Sequence, residues 1–233
     1  MNRKALAAAF PATIPVMLGY LSLGTAFGLL MNAIGYPVIW SFLMSVTVFA
    51  GSAQFLGVEL LDSMAPLGHA AIMTLILNFR HFVYGLSMLE KFRGMGWRKL
   101  YMIFSLTDET YALLTSLRPP QGVAPQDYYF CISLLDHFYW VAGSVLGGLL
   151  GSALSFNSEG ADFAMTALFV VIVIGQWEEA DSHLPALIGA GAALLSLLLL
   201  GPDRFLLPAL AVIVISLVPL QGKLDNAQKE VAP

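Results

Sequence analysis

Residues 5–58 contain no Asp, Glu, Lys or Arg. That leaves room for two helical crossings of a bilayer, because about 20 apolar residues span its hydrocarbon core. A turn sequence at 32–37, Asn-Ala-Ile-Gly-Tyr-Pro, divides the stretch and predicts spans at 14–31 and 38–60. The pattern then continues through apolar runs at 66–89, 100–117 and 128–154, with shorter ones at 163–177, 184–200 and 205–220. The expected fold is all-α, a polytopic transmembrane helical bundle of about seven to eight hydrophobic segments. It reads as one integral membrane domain over 1–233, with an N-terminal segment at 1–13, the membrane bundle at 14–220 and a polar tail at 221–233.

Composition agrees with the pattern. The chain is 58% hydrophobic and 11% charged, with mean hydropathy +0.78, outside the range of soluble domains. The net charge of -4 is scattered over loops and a few mid-segment positions, so no field for nucleic acid exists. Cys131 is the only cysteine, which excludes an intrachain disulfide, and no Cys/His cluster has metal-ligand spacing. No cofactor and no metal are expected. No leader with a small-x-small cleavage site stands out, and residue 1 onward is read as mature protein. Lys91, Arg93, Arg98 and Lys99 assign the 90–99 loop to the cytoplasm. Simple alternation would then leave Arg3 and Lys4 outside, against the same rule, so one early segment is expected to be broken or re-entrant near residues 51–54.

Polar residues inside the apolar runs carry the candidate chemistry. Asn78, Arg80, His81 and Tyr84 fall well inside the third segment. A charge at such a depth costs about 2.5–3.5 kcal/mol on insertion scales, so a compensating partner or function is required. Thr107-Asp108-Glu109-Thr110-Tyr111-Ala112 interrupts the fourth segment, Asp136-His137 the fifth and Ala50-Gly51-Ser52-Ala53-Gln54-Phe55 the second. This last stretch fits either a broken helix or a tight helix crossing with Gln54 bonded to a neighbour. On helices, Arg80, Tyr84 and Ser87 share a face, as do Asp108, Tyr111, Ala112 and Thr115, and likewise Ser133, Asp136, His137 and Trp140. These faces are expected to meet, with Arg80 paired to Asp108 or Glu109. A structural lock would need only that pair; the surplus of titratable groups favours a polar pathway suited to a small zwitterion, its carboxylate on Arg80 or a freed helix N-terminus. Gly24 and Gly28, and the ladder Gly143, Gly147 and Gly151, mark helix-packing faces.

The three motifs Ala50-Gly51-Ser52-Ala53-Gln54-Phe55, Asn78-x-Arg80-His81-x-x-Tyr84 and Leu106-Thr107-Asp108-Glu109-Thr110-Tyr111-Ala112, in this order and spacing, resemble the AzlC family, the large subunits of branched-chain amino acid exporters. The likeness runs from about Phe10 to Leu154, with the last third matching in hydropathy and length. It implies export of valine, leucine, isoleucine and in some members methionine across the bacterial inner membrane, by a multi-pass protein working with a small AzlD-type membrane subunit; proton coupling is expected from the residues themselves, since a carboxylate desolvated in such a site can exchange protons with the bulk. It also implies roles for Gly51, Ser52, Gln54, Asn78, Arg80, His81, Tyr84, Asp108 and Glu109. Asp136 and His137 match no family motif and rest on the residues alone. A channel-like pore is the first alternative. An intramembrane hydrolase using Ser52 and His81 is a more distant one, so the chain is read as a non-enzyme.

Overall fold

The computed structural model describes residues 3–153, 182–201 and 205–217, with single positions at 170, 173, 174 and 177. All regular structure among these residues is α-helical. The elements are α1 (Arg3–Ala33), α2 (Val38–Thr47), α3 (Gly51–Asp62), α4 (Leu67–Ser87), α5 (Arg98–Phe104), α6 (Asp108–Ser116), α7 (Pro125–Ala153), α8 (Leu184–Leu200) and α9 (Leu206–Leu217). The chain divides into two compact units, Met1–Met165 and Thr166–Pro233.

The first unit is organised around α1 and α7, which among the described residues are the helices long and apolar enough to cross a membrane. At 31 and 29 residues they exceed what a hydrocarbon core of about 30 Å needs. Segment 1–13, expected to precede the first span, is from Arg3 onward part of α1. The strong helix formers at Ala5, Ala7, Ala8 and Ala9 carry the helix outward, and it continues through Pro11 and Pro15.

Glycines set the contact between these two helices. Gly24, Gly28, Gly143, Gly147, Gly148 and Gly151 are all buried. A Cβ on Gly143 would lie 2.8 Å from the Tyr20 carbonyl oxygen; one on Gly28 would collide with the Ser144 carbonyl, and one on Gly147 with that of Thr25. The backbones touch. The expected Gly ladder therefore faces another helix of this chain, and close approach replaces the hydrophobic drive that is absent inside a bilayer.

Two expected spans are interrupted. The 38–60 segment is not one helix: α2 ends at Thr47 and α3 begins at Gly51. The break expected at 51–54 sits earlier, at Val48–Phe49–Ala50, where Phe49 has φ 42° and Ala50 is extended. Gly51, Ser52, Ala53 and Gln54 form the first turn of α3 instead. The expected continuous 100–117 helix is also divided, into α5 and α6. Its break has a local cause: the Thr107 hydroxyl accepts from the Thr110 N–H as an N-cap, and Asp108 and Glu109 follow in the first turn, where carboxylates suit the helix dipole. The 66–89 and 128–154 segments correspond to α4 and α7 within a few residues.

At one end, Ala5 and Ala9 of α1 pack with Phe92, Met95, Met102, Leu106, Leu114 and Ile132 in a closed apolar cluster. The basic loop is bound into that end. Arg98 pairs with Asp127 at 2.7 Å, and Lys91 donates to the Leu114 carbonyl beneath the Tyr129 ring.

In the second unit α8 and α9 pack against each other, and Ala192 and Ser196 of α8 and Ala209 of α9 are buried. They correspond to the 184–200 and 205–220 runs. The 163–177 run falls outside the described residues save for four positions. Glu178, Glu179, Asp181 and the tail at 221–233 lie wholly outside them.

Candidate functional site

The two helix breaks place the N-termini of α3 and α6 beside the polar face of α4. Arg80 joins them. Its Nη1 contacts Asp108 Oδ2 at 2.7 Å, and its Nη2 donates to Ser52 Oγ at 2.7 Å. Tyr84, one turn along α4, donates to Asp108 Oδ1 at 2.6 Å and stacks on Tyr111 with ring centroids 4.4 Å apart. Of the two carboxylates expected to pair with Arg80, Asp108 does so and Glu109 does not.

The two N-termini differ in a way that matters for binding. The N-terminus of α6 is satisfied by its Thr107 cap and already carries two carboxylates. That of α3 has no side-chain cap, and its first residues are Gly51 and Ser52, so its leading N–H groups lack a side-chain acceptor close to the Arg80 guanidinium. Around Arg80, α4 also holds buried polar atoms without partners: Asn78 Oδ1, Arg80 Nε and His81 Nδ1. The ion pair is open at its outer side, with 38% of the Arg80 side chain and 40% of the Asp108 side chain exposed.

Glu109 belongs to a second group. It is exposed, and its Oε2 lies 2.8 Å from the Tyr20 hydroxyl, which also contacts Thr107 Oγ1. Thr107 Oγ1 lies 3.0 Å from Thr110 Oγ1, and Thr110 Oγ1 lies 2.9 Å from Asp136 Oδ2. Asp136 is fully buried.

Gln54 and His137 form a third group that supports the α2–α3 break. Gln54 is buried; its Nε2 donates to Ser45 Oγ at 3.0 Å and its Oε1 accepts from Trp140 Nε1 at 2.8 Å. Ser45 in turn donates to Ser144 at 2.7 Å. His137 Nε2 faces the Ser45 carbonyl at 3.2 Å, a group near the end of α2, and its Nδ1 meets the Tyr101 hydroxyl at 3.0 Å. A carbonyl only accepts, so Nε2 carries a proton, and in the neutral ring Nδ1 accepts from Tyr101. The ring also packs on Phe49, the residue with positive φ, with centroids 4.3 Å apart. The segment is thus broken just ahead of this stretch, at Val48–Phe49–Ala50, and Gln54, within the first turn of α3, is bonded to its neighbours. Replacing Gln54 by Leu strips partners from Trp140 and Ser45 and is expected to destabilise the fold by about 1–3 kcal/mol in a denaturant titration.

Asp136 and His137 are neighbours in sequence but serve different groups. Tyr20 is a functional candidate that sequence reading passed over, and Thr110 stood inside a quoted motif without a role of its own; Tyr20 shares its run with the hydroxyls of Ser22 and Thr25, and only the close α1–α7 contact brings it to α6. Among the described residues no three His, Cys, Asp or Glu side chains are gathered as metal ligands would be.

Comparison with known proteins supplies the identity of this arrangement. The AzlC protein family model matches residues 15–154, a range that holds every residue named above. The "Branched-chain amino acid transport protein AzlC" of Bacillus subtilis is 42% identical over 99% of this chain and 93% of its own. A Helicobacter pylori relative described as "Uncharacterized membrane protein" is 41% identical over 95% of this chain and 97% of its own. The "Inner membrane protein YgaZ" of Escherichia coli is 27% identical over 76% of each. No solved structure matches. With the family match covering the site and a relative similar along nearly its whole length, the chain belongs to the AzlC family.

Proposed function

We propose that this chain is the large subunit of a secondary transporter that exports branched-chain amino acids across the bacterial inner membrane, driven by protons and assisted by a small AzlD-type membrane subunit. The observation that carries the reading is the Arg80–Asp108 pair, held between an uncapped helix N-terminus and a capped acidic one. A zwitterion can replace that pair. Its carboxylate takes the place of Asp108 on Arg80, with the α3 N–H groups and Ser52 beside it, and its ammonium takes the freed Asp108. Each charge keeps an opposite partner before and after binding, so the exchange leaves neither Arg80 nor Asp108 uncompensated. The stacked Tyr84 and Tyr111 rings offer an apolar wall for the side chain.

The relatives' names support a membrane transport role, and the apolar helices fit that location. A hydrolase is disfavoured by the surroundings of Ser52: its hydroxyl accepts from the Arg80 guanidinium, and among the described residues no imidazole is bonded to it. A pore remains distinguishable by kinetics. Liposomes holding this chain and its small subunit are expected to show saturable leucine flux and counterflow of labelled leucine against unlabelled leucine outside. Flux that neither saturates nor shows counterflow identifies a pore, and absence of leucine flux refutes the transport reading.

A further inference from the structure

From the hydrogen-bond chain between α1, α6 and α7, we propose that Glu109 and Asp136 share one proton through Tyr20, Thr107 and Thr110, and that Asp136 is the buried proton site of the transport cycle. The inference rests on the transport reading above and adds the group that couples it.

The chain has four oxygen–oxygen links: Glu109 to Tyr20, Tyr20 to Thr107, Thr107 to Thr110 and Thr110 to Asp136. Each link needs one proton. The hydroxyls of Tyr20, Thr107 and Thr110 supply three. The fourth must sit on a carboxyl; with both acids ionised, one link would bring two bare oxygens together, and with both protonated one proton would have no link. A single carboxyl proton satisfies the whole chain in either of two directions. In one, Glu109 donates to Tyr20, Tyr20 to Thr107, Thr107 to Thr110 and Thr110 to ionised Asp136. In the other, Asp136 donates to Thr110, and the hydroxyls run back to ionised Glu109. Passing between them, each hydroxyl gives up one proton and takes one, so no charge is created and only the carboxyl proton changes its end.

The ends are unequal. Glu109 is exposed, whereas Asp136 is fully buried and its Oδ1 has no hydrogen-bond partner. A bare buried oxygen costs less on a neutral carboxyl than on a carboxylate. Among the described residues, the titratable groups around Asp136 are Tyr20 of α1, Tyr101 of α5, Glu109 of α6 and His137 beside it on α7. His137 is engaged by Ser45 and Tyr101, and Arg80 by Asp108 and Ser52, so neither neutralises Asp136. The chain therefore rests with its proton on Asp136 and Glu109 ionised. Asp108 precedes Glu109 on α6, so movement of Asp108 off Arg80 on substrate binding disturbs the exposed end of the same chain.

The test uses liposomes containing the full chain and its small subunit, loaded with labelled leucine. In the unaltered protein, an acidic outer buffer is expected to accelerate leucine efflux at least about tenfold. Asp136→Asn should lose that acceleration while retaining leucine exchange. Thr110→Val, which keeps the carboxyl and cuts the relay, should shift the dependence on outer pH by about one unit or more and also retain exchange. The proposal is overturned if Asp136→Asn is accelerated by acid as the unaltered protein is, if Thr110→Val has an unchanged pH profile, or if a sodium gradient drives Asp136-dependent efflux in place of a proton gradient. Should Asp136→Asn fail to fold, the Thr110→Val profile decides alone. Absence of efflux from the unaltered protein is a separate outcome that refutes the transport reading itself.

Discussion

Arg80→Ala is expected to lower leucine flux at least about 30-fold, the equivalent of about 2 kcal/mol for truncating one partner of a hydrogen-bonded charge pair, with insertion and expression retained. The guanidinium is asked to do two things at once, holding Asp108 through Nη1 and Ser52 through Nη2, while Nε stays unpartnered. Lysine offers one point charge in place of that planar fork, so Arg80→Lys should recover folding without restoring full flux. A double exchange separates binding from bracing. Arg80→Asp combined with Asp108→Arg would rebuild a pure structural pair and restore function. In the proposed site it puts an acid beside the uncapped α3 N-terminus, where the substrate carboxylate belongs, and the double variant should remain inactive. Wild-type flux in Arg80→Ala would remove this residue from the site.

Gly147→Val is expected to prevent assembly of the first unit, at a cost of at least about 3 kcal/mol, seen as loss of monodisperse protein on size-exclusion chromatography. The reason is what a side chain would meet: the Thr25 backbone on α1, which cannot turn aside as a flexible side chain could. Gly28 faces the same problem from the other helix. Gly19 supplies the contrast, because a Cβ there meets nothing within 4 Å, and Gly19→Ala should behave as the unaltered protein. The α1–α7 contact also matters for function, since it presents Tyr20 to Thr107 and Glu109. A properly assembled Gly147→Val protein would refute this packing account.

Much of this arrangement is legible in the sequence because a bilayer narrows the choices. A charge such as Arg80 in an apolar run must find a partner, and few acids are available, which is why Asp108 or Glu109 could be named in advance. The extents of α4, α7 and α8 follow from hydropathy for the same reason. The breaks were harder. Flexibility in the 50–55 stretch suggests Gly51 as the weak point, yet the unusual backbone belongs to Phe49, held by its packing on His137, a contact that no local pattern announces. In the fourth segment the signal was present: Thr107 followed by Asp108 and Glu109 is the signature of a helix start, and continuous hydropathy on both sides concealed it. The Tyr20–Asp136 connection could not be read from spacing, because it exists only once α1, α6 and α7 are brought together.

Sharing of one zwitterion between Arg80 and Asp108 is tested most directly by analogue competition. Binding of labelled leucine to the purified complex would be challenged with leucine, with leucinamide, which lacks the carboxylate, and with 4-methylpentanoate, which lacks the ammonium. Each truncated analogue should compete at least about 30-fold more weakly than leucine, since each leaves one charge of the pair without its counterpart. Equal competition by either analogue would contradict it.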